Sequence, residues 1–141
     1  MKFYKSLTIN VLWVSILFTQ YYFSNQFMMT TVKNLGVWMD HSNAHLIDVT
    51  PNSMQTNFIA SQTNHAEKEP HQQAQYLQKI GDIIVNYEGV ILFGPTDAKL
   101  DLLHTIIGDC RFANVKIQIK QTVCMTENQE HSFVKDYFLG H

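Results

Sequence analysis

From Leu35 onward the apolar positions fall into short blocks whose period changes along the chain. Leu35-Gly-Val-Trp-Met-Asp40 is a compact apolar run, and Asp40 to Asn43 (DHSN) supplies residues that favour a tight turn. Ala44 to Val49 (AHLIDV) follows as the second strand of a hairpin and is closed by Thr50 to Ser53 (TPNS). Met54 to Ala60 then sets Met54, Thr56 and Phe58 on one face against Gln55, Asn57 and Ile59 on the other, so three strands form a meander. Ser61 to Pro70 (SQTNHAEKEP) holds no large apolar residue and reads as a loop.

The spacing next changes to threes and fours. Ala74, Leu77, Ile80, Ile84 and Tyr87 share one face of a helix predicted from about His71 to Asn86, and Glu88-Gly89 stops it. Val90 to Phe93 (VILF) is unbroken and apolar, as in a strand covered on both faces. Gly94 to Asp97 (GPTD) opens a second helix, capped by Thr96 or Asp97, with Leu100, Leu103, Ile106 and Ile107 as its apolar side. Val115 to Thr122 alternates strictly, which suits a half-buried strand near a sheet edge. Thr126 and Gln129 have capping-box spacing and begin a last helix that turns Phe133, Val134, Tyr137 and Phe138 inward. The order β-β-β-α-β-α-β-α predicts an α/β chain with a five-stranded mixed sheet and helices on its faces, the arrangement of the ribonuclease H-like folds.

Composition adds one boundary. The 141 residues are 45% hydrophobic and 16% charged with a formal net charge of −2, which suits one self-sufficient domain and excludes a disordered tail. No charged residue stands between Lys5 and Lys33. The intervening segment has a basic start and an apolar middle, yet Thr8, Asn10, Ser15, Thr19 and Gln20 interrupt it, and a spanning helix wants about 20 mainly apolar residues. Three readings stand open: an extension from an upstream start with the true initiator at Met28 or Met29, a membrane anchor over residues 7 to 27, and a signal peptide. On the first, residues 1–28 lie outside a domain of residues 29–141, and losing Lys2 and Lys5 takes that domain to −4. The acidic balance gives no basic field for sequence-independent nucleic-acid binding, which leaves only a local patch. Two cysteines, Cys110 and Cys124, make no disulfide scaffold.

The stretch Val37-Trp-Met-Asp-His-Ser-Asn-Ala44 resembles the opening hairpin of the middle domain of archaeal and eukaryotic class I peptide-chain release factors and their bacterial single-domain relatives. Glu88 to Leu102 (EGVILFGPTDAKLDL) is similar to that family's central strand, Gly-Pro turn and following helix, and the final strand and helix also fit. The resemblance implies a component of the translational machinery, acting in the cytoplasm on ribosomes or tRNA. It does not imply peptide release. Where release factors carry a Gly-Gly-Gln tripeptide, this chain reads Glu67-Lys-Glu-Pro-His-Gln-Gln-Ala74, without a glycine pair to free the backbone. The expected function is non-catalytic binding through the loop of residues 61 to 73, with His65, Lys68, His71, Gln72 and Gln73 as contact residues, and with no cofactor or metal.

Two competing chemistries follow from the residues themselves. Asp40 and Asp97, each at a strand end, could serve a metal-dependent nuclease or other hydrolase, although Asp beside a turn more often caps it and only Asp82 offers a third acid. His65 and His71 with Glu67 and Glu69 gather metal-type ligands in one loop, but at no spacing typical of a tight site, and His41 and His45 read as decoration of the hairpin. The third alternative is an interaction module held at a membrane by residues 7 to 27.

Overall fold

The computed structural model describes residues 13–20, 32–61 and 70–140. The chain divides into two units, Met1–Thr31 and Val32–His141. Of the first, residues 13–20 form a helix, α1, whose apolar side chains Trp13, Val14, Ile16, Leu17 and Phe18 are exposed. Among the described residues no helix is long and apolar enough to cross a membrane. The rest of the segment 7 to 27 lies outside the described residues.

The second unit follows the predicted order. Strands β1 (Asn34–Met39), β2 (Asn43–Thr50) and β3 (Ser53–Ala60) lead into helix α2 (Pro70–Ile84), followed by β4 (Gly89–Gly94), helix α3 (Ala98–Ile106), β5 (Lys116–Gln121) and helix α4 (Glu127–Leu139). One short 3-10 turn, Cys110–Phe112, stands before β5. The sheet order is β3-β2-β1-β4-β5, with β1, β4 and β5 parallel and the hairpin strands antiparallel. This is a mixed five-stranded sheet, with the alternating strand β5 at an edge.

Period-two alternation divides the core between two faces. Leu35, Val37, Met39, Ala44, Leu46, Val90 and Leu92 face α2 and α3, while Trp38, Ile47, Val49, Ile91 and Phe93 face α4. The unbroken run of β4 is thereby buried on both sides. Gly36 on β1 lets α4 approach: a Cβ there would lie 2.3 Å from Val134 Cγ2. The last helix carries the predicted capping box, in which Thr126 Oγ1 accepts from the Gln129 N–H and Gln129 Oε1 accepts from the Thr126 N–H.

Several helix faces differ from the spacing argument. In α2, Ala74 is exposed and Tyr76 is buried, so the buried face is Tyr76, Leu77, Ile80, Gly81 and Ile84. In α3, Leu100 and Ile107 point outward, and Ala98, Lys99, Leu102 and Ile106 are inside. A narrow stripe at i, i+4, i+8 with a small residue at its start brings α3 close to the sheet, which leaves the larger leucine and isoleucine on the flank. In α4, Glu130 and Val134 are buried and Phe133, Tyr137 and Phe138 are half-buried. Cys110 and Cys124 are free and exposed, where buried or idle thiols are the usual expectation.

Candidate functional site

The carboxyl ends of β1, β4 and β5 and the N-termini of all three helices of the second unit lie at one end of the sheet. In an open α/β sheet, the crevice between parallel strands whose connections diverge is the usual place for binding. Here that position is between β1 and β4. The β1 end turns through Asp40, whose Oδ1 accepts from the main-chain N–H groups of Ser42 (2.7 Å) and Asn43 (2.6 Å). This side-chain turn fixes the hairpin, and Ser61 N donates to Ser42 O (2.7 Å), so the exit of β3 is held beside it.

The Gly94 to Asp97 turn packs directly against the end of β1. Gly94 has φ of 147°, and a Cβ there would lie 2.2 Å from Met39 O, so glycine is required at this crossing. Beneath the turn, Lys99 is 2% exposed; its ammonium donates to Gly94 O at 3.1 Å and to Thr96 O. Gln121 Nε2 donates to Pro95 O (3.0 Å), and Thr122 N to Gly94 O (3.3 Å), tying the turn to the end of β5. Thr96 Oγ1 accepts from Ala98 N at 3.4 Å, a long cap, whereas Asp97 at the N-cap position makes no side-chain cap. Lys99 was not legible as a structural group in the sequence, because an isolated lysine on a predicted helix reads as solvated.

On the third side stands the start of α2. The Tyr76 hydroxyl donates to Asp40 O (3.1 Å), and burial, with the nearby Asp40 charge second, pushes its pKa well above the usual tyrosine range. Of the predicted contact residues, His65 and Lys68 lie outside the described residues. His71 is exposed and meets Gln75 Nε2 at 3.2 Å. Gln72 is half-buried beside Ala60, Ser61 and Tyr76, and both amide atoms of Gln73 are buried without a hydrogen-bond partner among the described residues. The structure therefore brings His71, Gln72 and Gln73 to the end where β3 leaves the sheet and Asp40 turns the hairpin.

Asp40 is occupied by its own turn, and Asp82 lies far along α2, where it meets Arg111 at 3.3 Å. Among the described residues no group of three or more His, Cys, Asp or Glu is placed to hold a metal ion. His45 is more than decoration of the hairpin: its Nδ1 lies 2.8 Å from Oε2 of Glu130, which is 1% exposed. Its ring packs on Trp38 and edge-on to Phe58, with centroids at 4.7 and 4.8 Å. Next to Glu130 on α4, His131 Nε2 meets Thr56 Oγ1. Both contacts join residues more than 70 positions apart, a distance that no local spacing reports.

No protein-family model and no curated protein matches the chain. Its likeness is to solved structures. The Thermoplasma acidophilum Pelota protein superposes with a TM-score of 0.56 at 19% identity over 74% of this chain and 32% of that one. The archaeal translation termination factor aRF1 gives 0.57 at 11% identity over 79% of this chain and 36% of that one. Saccharomyces cerevisiae Dom34, described as a translation termination-like factor involved in RNA quality control pathways and interacting with Hbs1, gives 0.53 at 13% identity, covering 72% and 32%. This chain thus spans about a third of the length of each of these proteins. At such identities the likeness is one of fold.

Proposed function

We propose that the chain is a translation-associated binding protein, built on a release-factor-type middle domain, that contacts a ribosome or tRNA through residues 61 to 73 and the end of the sheet beside His71, Gln72 and Gln73. The domain is residues 29–141, residues 1–28 lie outside it, and a cytoplasmic location goes with this reading. The observation that carries it is the fold shared, over more than 70% of this chain, with a translation termination factor, a translation termination-like factor and a Pelota protein. Non-catalytic binding is favoured over peptide release because residues 61–73 contain no glycine. His71, Gln72 and Gln73 open α2 beside the Asp40 turn, and Lys99 holds the neighbouring turn in shape from beneath. The contact is local, since a net charge of −2 supplies no general attraction to RNA.

Co-sedimentation of the purified chain with ribosomes at low and moderate salt tests the proposal. Binding is expected to survive moderate salt and to weaken in a variant carrying His71→Ala, Gln72→Ala and Gln73→Ala. Absence of the chain from the ribosomal pellet under both conditions overturns the reading.

A further inference from the structure

At the opposite end of the sheet, where β1, β4 and β5 begin, a groove of about 610 Å³ opens on the face that carries α4. Its floor is made by Asn34, Gly89 and Val90 with Lys116 and Gln118 of β5, and one wall by Tyr137 and Phe138 of α4. The register explains why it is open. Lys116, Gln118 and Lys120 lie opposite Gly89, Ile91 and Phe93, so they share the face of the α4 core, yet all three are exposed. The long polar side chains of this edge strand therefore form an uncovered ladder beside an aromatic wall.

The chemistry of the ladder is specific. Lys116 and Lys120 are four residues apart on one face, roughly 13 Å by strand rise, and β5 holds no acidic residue. The Lys120 ammonium stands 5.5 Å above the Tyr137 ring centroid, which places cation and aromatic surface together. Planar amides of Asn34, Asn114 and Gln118 surround the groove, and Glu88 adds a carboxylate at its margin. Lys116 in the groove, Lys120 farther along the same strand face beside Tyr137, the aromatic wall, and amides presenting donors and acceptors match a charged backbone carrying planar, hydrogen-bonding bases. The aromatic ring and the amides, which an acidic peptide would not use, favour a ligand with planar bases, and the Glu88 carboxylate can accept from the exocyclic amine of a base.

We propose that this groove binds a short single-stranded nucleic acid. Its phosphates lie along Lys116 and Lys120, a base rests at Tyr137 and Phe138, and Asn34, Glu88, Asn114 and Gln118 meet base edges. Recognition of this kind combines stacking on aromatic side chains with cationic contacts to the backbone, here supplied locally by Lys116 and Lys120. The inference does not rest on the contact proposed for residues 61 to 73, of which His71, Gln72 and Gln73 stand at the other end of the sheet.

Fluorescence anisotropy of the full chain with labelled mixed-sequence octamers tests it, with RNA and DNA as separate arms. Binding of either supports the proposal if its affinity falls between about 50 and about 200 mM salt and if Lys116→Gln with Lys120→Gln lowers the log–log salt slope by about 1.4, the value for two single-strand phosphates. Tyr137→Leu, which keeps an apolar side chain against the core, is expected to weaken binding roughly tenfold through loss of stacking. Circular dichroism checks that each variant is folded. No binding in either arm, or binding whose slope the lysine changes leave unaltered, overturns the proposal, as does tighter binding of an oligoglutamate peptide that displaces the octamer. Ribosome sedimentation with the same lysine variant separates the two readings, because the proposed loop contact does not use these lysines.

Discussion

Tyr76 illustrates how much one side chain can decide. Its ring is 2% exposed, and its hydroxyl holds the carbonyl at the end of β1. Burial and the Asp40 charge raise its folded-state pKa, so the neutral phenol stabilises the fold fully below the unfolded tyrosine value, about 10. That contribution is lost as pH rises above it, because the unfolded chain ionises while the folded one resists. Tyr76→Phe should therefore cost about 1 kcal/mol near neutral pH, for the lost hydrogen bond, and the difference from the parent should shrink above pH about 10. Denaturant unfolding of both proteins as a function of pH checks this; a gap that widens in alkali contradicts it. Neither Tyr76 nor the buried Lys99 was legible in the sequence, where a tyrosine two residues from Ala74 falls off the apolar stripe and a lysine counts as surface. What reveals them is a pair of carbonyls, at Asp40 and Gly94, brought in from other elements.

At the scale of elements, the attachment of α4 to the sheet is the seam most open to test. Its position depends on Gly36, which admits Val134, and on the His45 and Glu130 pair beside Trp38 and Phe58. Gly36→Ala should destabilise by about 1–3 kcal/mol through overpacking, and Val134→Ala in the same chain should recover part of that loss. His45→Ala leaves a nearly fully buried carboxylate without its partner and should cost about 2 kcal/mol, since His45 itself is partly solvated. The double change His45→Ala with Glu130→Leu should cost less than the sum of the single changes. Chemical unfolding of the four-member cycle measures the coupling, and strict additivity would show that the pair does not fasten α4. The strands, their order and the capping box were legible because period two, turn residues and caps are local signals. The faces of α2 and α3 were only half legible: periodicity finds a stripe, but the shape of the facing sheet decides which edge of the stripe is buried. Gly36 passes in the sequence as one member of the apolar run from Leu35 and acquires its meaning only from Val134 on the last helix.

For the whole molecule, the question is whether the charge-free start belongs to the folding unit. Among the described residues both core clusters lie between Leu35 and Phe138, and β1 begins at Asn34, paired on both sides by β2 and β4. A domain of this length buries enough of its surface to fold alone, and the strand nearest its start is central in the sheet, so its main-chain bonds do not depend on preceding chain. A protein beginning at Met29 should therefore unfold cooperatively, with a midpoint within a few degrees of the full chain and the same denaturant slope, which follows the surface exposed on unfolding. A drop of about 4–8 °C, corresponding to about 1 kcal/mol at this size, would show that residues 1–28 contribute packing to the domain. The same comparison separates fold from function. The architecture follows from patterns within residues 35 to 138, whereas the two surfaces proposed for binding depend on side chains at opposite ends of one sheet, grouped by strand register across five strands. If the shortened chain keeps its midpoint and also keeps both the ribosome contact and the salt-dependent binding of octamers, each activity belongs to the sheet domain itself. If the midpoint holds while one activity disappears, that activity requires the segment before Met29, and its proposed residues are at most part of the site.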